Sequence, residues 1–153
     1  EPVIRALSAI NSVVSLANGN VGQTLVQPLL DSGEILRLSQ EAIRPFYEAR
    51  SHQAQAWVED AFDDALPYRV HLSEGAMFLW LWFPGLPITT RELYQRLKQR
   101  NVLVVPGCYF FYGLDDDWRH RDECIRINYS QDETAVREGI SIIAEEVARA
   151  YRS

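Results

Sequence analysis

Lysine is nearly absent from this sequence. Lys98 stands alone among fourteen arginines, so any amine chemistry in the chain must rest on that one residue. Cysteine is almost as scarce: Cys108 and Cys124 are too few for a disulfide framework. No apolar run is long enough to span a membrane. The longest, residues 76–83, has the length of a strand. There is no basic stripe, and the formal net charge is −6, which argues against a nucleic-acid partner. Phosphate-cradling glycine patterns are also missing. Asn18-Gly19-Asn20-Val21-Gly22 fits neither the dinucleotide nor the P-loop spacing, and it reads as a turn. His52, His71 and His120 are scattered and match no closed zinc spacing. Asp115-Asp116-Asp117 reads as a solvated loop. The start, Glu1-Pro2, has neither the charged nor the apolar region of a secretory signal. A reducing, cytoplasmic compartment is therefore expected. The missing initiator methionine suggests a processed chain or a piece of a longer one.

What is present is ample material for a core. The chain has 153 residues, 47% of them hydrophobic, with four Trp, seven Tyr and six Phe. That suits one globular domain. Apolar spacing predicts a helix over 2–16, a turn at Asn18-Gly19-Asn20, and a second helix over 22–30 containing Pro28. Asp31-Ser32-Gly33-Glu34 reads as the cap of a long helix over about 33–64. Its apolar positions Leu36, Ile43, Tyr47, Ala54, Trp57, Val58, Ala61 and Phe62 keep a helical period. Pro45 should kink it, and a helix of that length more often bridges two lobes than packs within one.

Strands are expected at 69–73, 76–83, 102–105 and 124–129, with a short Thr89-capped helix between the second and third. Residues 113–122 read as a polar surface excursion. A last helix over 133–151 carries Val136, Ile140, Ile143, Val147 and Ala150 as its inward stripe. The order from residue 31 predicts an α+β sandwich with a mainly antiparallel sheet. Residues 1–30 form a separate, all-helical attachment.

The stretch Cys124-Ile125-Arg126-Ile127-Asn128-Tyr129-Ser130 alternates apolar and polar residues. Alternation puts Arg126 on one face with Cys124 and Asn128, opposite Ile125 and Ile127. A guanidinium there is a planar, permanent fork suited to a carboxylate. On these residues alone, an ion pair with one of the many acids is its commoner fate. Cys108, after a Pro-Gly turn, could be a nucleophile, but a small loop or buried cysteine is the usual reading. Cys124 reads as core. Trp80 and Trp82, alternating with Leu79 and Leu81, read as a packed sheet face rather than a stacking platform.

Three stretches together carry a family resemblance: Glu74-Gly75-Ala76-Met77-Phe78, Val104-Val105-Pro106-Gly107-Cys108-Tyr109-Phe110, and the Arg126 strand. They resemble the C-terminal part of class I and II pyridoxal-phosphate-dependent aminotransferases, and the resemblance covers nearly the whole chain. It implies the small C-terminal domain of the aspartate-aminotransferase-like fold at 31–153, opened by a kinked connector helix at about 33–64. Residues 1–30 would belong to the large, cofactor-binding domain. The family moves an amino group between an amino acid and a 2-oxo acid, and the wording here implies valine and pyruvate. Arg126 maps to the arginine that grips the substrate α-carboxylate. The aromatics of 109–112 could close a small apolar pocket. Asn18 maps to a turn that approaches the partner's active site in a homodimer. The cofactor lysine, and the Asp and Tyr that bind the pyridine ring, would lie upstream of Glu1. Lys98, on the polar side of a short helix, cannot stand in for that lysine. The resemblance thus implies a C-terminal portion that lacks its large domain, is inactive alone, and binds pyridoxal phosphate weakly or not at all. The alternative is a self-contained, non-catalytic α+β ligand-binding or regulatory module.

Overall fold

The strand Cys124–Asn128 organises the second half of the molecule, because it puts Ile125 and Ile127 on one face and Cys124, Arg126 and Asn128 on the other. In the computed structural model, which describes residues 2–14, 21–62, 65–114 and 117–152, it is the fourth strand, β4, of a four-stranded sheet. The others are β1 (Arg69–Val70), β2 (Phe78–Trp82) and β3 (Val105–Pro106). The order is β1-β2-β4-β3, and every neighbouring pair is antiparallel. Five rungs join β2 to β4, with Leu79 opposite Ile127, Trp80 opposite Arg126 and Leu81 opposite Ile125. The helices are α1 (Pro2–Val14), α2 (Val21–Asp31), α3 (Glu34–Leu38), α4 (Arg44–Ala61), α5 (Thr90–Gln99) and α6 (Glu133–Arg152).

Leu79, Leu81, Ile125 and Ile127 are buried on one face of the sheet and join the core with Val58, Leu93, Leu97 and Val147 of the helices. The stripe Val136, Ile140, Ile143, Val147 and Ala150 of α6 is buried as its spacing predicts. Thr89 caps α5 by accepting from the Glu92 amide, which satisfies one of the first-turn donors. The result is an α+β layer with an antiparallel sheet. The chain separates into two compact units, Glu1–Ala42 and Ile43–Ser153. The division falls inside the long helical run, beyond the boundary expected at residue 31. In the first unit the apolar side chains Val3, Ile4, Leu7 and Ile10 of α1 are exposed. Arg37 there bridges Glu34 and Glu41, and its guanidinium holds the Glu34 carboxyl below the usual range.

The long helix is not continuous. Between α3 and α4 lies one π-helical turn, Ser39–Ile43, and Pro45 falls in the first turn of α4. Proline has no N–H to give the Glu41 carbonyl, and its ring crowds that oxygen. Widening the ladder over one turn relieves both problems. Two strands are shorter than expected: β1 stops at Val70 and β3 begins only at Val105. Val102 instead gives its amide to the Leu97 carbonyl, closing the end of α5.

Candidate functional site

The second face of the sheet is turned away from the core leucines and isoleucines. It carries Trp80, Trp82, Cys124 and Arg126, which alternate with the core leucines and isoleucines. Two 3₁₀ turns lie against it, Gly107–Phe110 and Arg119–Asp122. The excursion expected to be polar lies largely at the surface, and its Trp118 and His120 add two rings to those of Phe110 and Phe111. Phe110 meets Trp80 edge-on at 5.1 Å, Trp118 stacks on His120 at 4.9 Å, and His120 packs against Trp82 at 4.8 Å. Trp118 stays exposed while its ring stacks on the half-buried His120, which in turn meets the Trp82 indole.

Arg126 is half-buried in the middle of this face. Its guanidinium carbon lies 4.0 Å from the Phe78 ring centre and 4.9 Å from that of Phe110. Among the described residues it makes no salt bridge, although nine other pairs of opposite charge are in contact. The ion pair favoured by the residues alone is therefore absent among the described residues. The cross-strand neighbours explain this. Opposite Arg126 stands Trp80 on one side and Val105 on the other, so no acid reaches it from an adjacent strand.

Three devices hold the surroundings in place. Tyr129, 1% exposed, donates its hydroxyl to the Gly75 carbonyl at 3.0 Å and its amide to the Met77 carbonyl at 3.0 Å. This anchors Met77 in a left-handed conformation, φ 78°, which an L-residue adopts only where its surroundings enforce it. Gly107 presses so close to β4 that a Cβ there would lie 2.8 Å from the Arg121 carbonyl oxygen and from Cβ and O of Cys124. Glu123, 6% exposed, accepts from the Trp82 indole at 2.9 Å and the Gly85 amide at 3.0 Å, and pairs with Arg119 at 2.8 Å.

Cys124 is buried, and burial pushes its thiol up to about 11. It is an inert thiol, as its strand position suggests. Cys108 is half-buried and accepts a hydrogen bond from Arg91 Nε at 3.1 Å. Lys98 is exposed in the last turn of α5. Tyr109 and Tyr112 are exposed, and Phe111 is half-buried against Trp118. A recess of about 160 Å³ opens between residues 71–76 and the Phe78 and Trp80 rings. Asn18, expected to reach a partner's site, lies outside the described residues. Among the described residues no group of three His, Cys, Asp or Glu could hold a metal ion, and no helix is long and apolar enough to cross a membrane.

The roles of Phe78, Phe110 and Glu123 have no local signature. The β2–β4 register is the one signal that leads to Phe78, because it places that ring diagonally from Arg126.

No family model matches the chain. Comparison with solved structures and curated proteins finds relatives along nearly the whole of this chain. A kynurenine aminotransferase from Pyrococcus horikoshii shares 26% identity and a TM-score of 0.74 over 97% of this chain and 35% of its own. The chain is similar to a part of several aminotransferases and has the aspartate-aminotransferase-like fold. Its particular resemblance is to valine–pyruvate aminotransferase. The Salmonella typhimurium protein of that name is 44% identical with a TM-score of 0.86, over 98% of this chain and 38% of that one. The Escherichia coli protein is 42% identical over 99% of this chain and 36% of its own length. The chain thus spans little more than a third of the relatives it matches.

Proposed function

We propose that this chain is the C-terminal part of a pyridoxal-phosphate-dependent aminotransferase that moves an amino group between valine and pyruvate, giving 2-oxoisovalerate and alanine. The observation that carries the reading is Arg126: half-buried, free of any salt bridge among the described residues, and set over two aromatic rings. A guanidinium in that state has donors to offer a substrate carboxylate, and two parallel N–H···O bonds would fix the orientation of the substrate. Trp80 and Phe110 beside it limit the access of water and strengthen that contact.

The cofactor, when bound, supplies the electron sink for the reaction. Lys98, the one lysine of the sequence, is exposed on α5, which supports placing the cofactor lysine elsewhere. The cofactor lysine then belongs to a large domain outside this chain, to which residues 1–30 also belong. The small domain is residues 31–153. The full-length enzyme is a cytoplasmic homodimer, with Asn18 reaching toward the partner's active site, and this chain alone is inactive and binds the cofactor weakly or not at all.

The test is the intact mass of the native protein from its source before and after borohydride reduction, with the modified peptide mapped. A product much larger than 17.6 kDa, carrying a pyridoxyl group on a lysine upstream of Glu1, is expected. A native product of this size with no such group would overturn the reading and favour a binding module.

A further inference from the structure

We infer that Phe78 and Phe110 are positioning residues for Arg126: their rings hold the guanidinium by its face so that its N–H edges stay free for the incoming carboxylate. This rests on the reading of Arg126 given above. Burying a guanidinium without a partner is costly. The usual remedy is an acid, and the chain has twenty-one of them. An acid would satisfy the charge but occupy the same donors that a substrate needs. An aromatic ring offers attraction of another kind. The negative face of its quadrupole draws the cation, while the donors lie in the guanidinium plane and remain unused.

Both rings are held by the backbone features around them. Phe78 follows Met77, whose left-handed backbone is tied down by Tyr129. Phe110 ends the 3₁₀ turn that begins at Gly107, and its ring leans edge-on against Trp80 at 84°. Trp80 is in turn the cross-strand partner of Arg126. The stack therefore has one ring from the sheet and one from the Gly107–Phe110 turn, and only the second is on a segment outside the sheet.

The full-length enzyme with Phe110→Leu tests this. Phe110 is 41% exposed, so the leucine variant keeps its apolar contact and its fold, which a melting curve confirms. Three quantities are read: KM for valine, kcat, and competitive inhibition by isovalerate, which has the carboxylate and side chain of valine without the amine. KM and the inhibition constant should rise together by about three- to tenfold, with kcat within about twofold of wild type. Phe110→Tyr, which restores a π face, should return both constants to wild type. Unchanged constants in Phe110→Leu, or an equal rise in Phe110→Tyr, would overturn the inference. Arg126→Lys measured alongside separates the two layers. If it raises both constants and Phe110→Leu does not, only the positioning role fails. If Arg126→Lys also leaves them unchanged, the carboxylate reading fails first.

Discussion

Gly107→Ala probes the packing of the Gly107–Phe110 turn against β4 without touching Arg126. The added Cβ would meet the Arg121 carbonyl oxygen and two atoms of Cys124, each at 2.8 Å. Ordinary contact begins near 3.4 Å, so roughly 0.6 Å must be found on each line. Two of the three obstacles are backbone oxygens, and the third is the Cβ of a buried strand residue. None can swing aside as a flexible side chain would. Overpacking of this kind costs about 1–3 kcal/mol, and rigid neighbours put the site at the upper end. Alanine also restricts the unfolded chain, which returns about 0.4–1 kcal/mol. The net loss is about 2 kcal/mol, which lowers the melting temperature of a chain this size by roughly 4–8 °C. Thermal unfolding followed by circular dichroism gives the number. Gly139→Ala serves as the opposite case. Gly139 lies within α6, and a Cβ added there would meet nothing within 4 Å, so that variant should melt at or above wild type. A Gly107→Ala protein that melts within about 1 °C of wild type, on a scale where this change is worth several degrees, would refute the close-packing argument.

Two further outcomes follow from buried groups. Glu123→Gln keeps the size of the side chain but turns one acceptor into a donor facing the Trp82 indole, the Gly85 amide or Arg119; it should lower the urea midpoint by the equivalent of about 1–3 kcal/mol, and an unchanged midpoint would show that the carboxylate holds nothing. Stability should also fall in alkali. Burial pushes the Cys124 thiol from 9.0 up to about 11 and the Tyr151 phenol from 10.0 up to about 12. Both are neutral when folded, so above pH 9 the unfolded chain releases protons that the folded chain keeps, and the stabilisation present below that point is lost as pH rises through about 11 and then about 12. A urea midpoint that stays level across that window would count against the burial of both groups.

Periodicity made the helix-facing half of this fold legible. The α6 stripe, the Leu79–Leu81 and Ile125–Ile127 faces and the Thr89 cap each follow from spacing that a single element imposes on itself. It also placed Arg126 on the face turned away from the core. What escaped was decided between distant segments. Residues 113–122 look polar by composition, yet Trp118 and His120 find Phe111 and Trp82 to stack on. The edge strand β3 is short because Val102 is drawn to α5, whereas beyond β1 the His71 amide still reaches the Trp80 carbonyl. Proline chemistry foresaw a break near Pro45, but the form of that break, a widened turn before the proline rather than a bend at it, depends on how the neighbouring carbonyls rearrange. The neighbours of Arg126 were hidden for a similar reason. Phe110 and Phe78 come from segments far apart in the chain, and only the β2–β4 register and the Gly107 turn bring them together.

The brevity of the outer strands has a consequence for how molecules of this chain meet one another. A sheet rich in Trp, Phe, Ile and Leu is a natural template for another chain to extend, and such extension is how soluble domains begin to form fibrils. Here each border strand offers two residues, and one of the four is Pro106, which has no amide hydrogen to give. The long, regular strands β2 and β4 lie inside, and all five rungs between them are taken by each other. The most adhesive backbone in the domain is thereby kept from its copies, and a variant that lengthened β3 by replacing Pro106 would be the one to aggregate first.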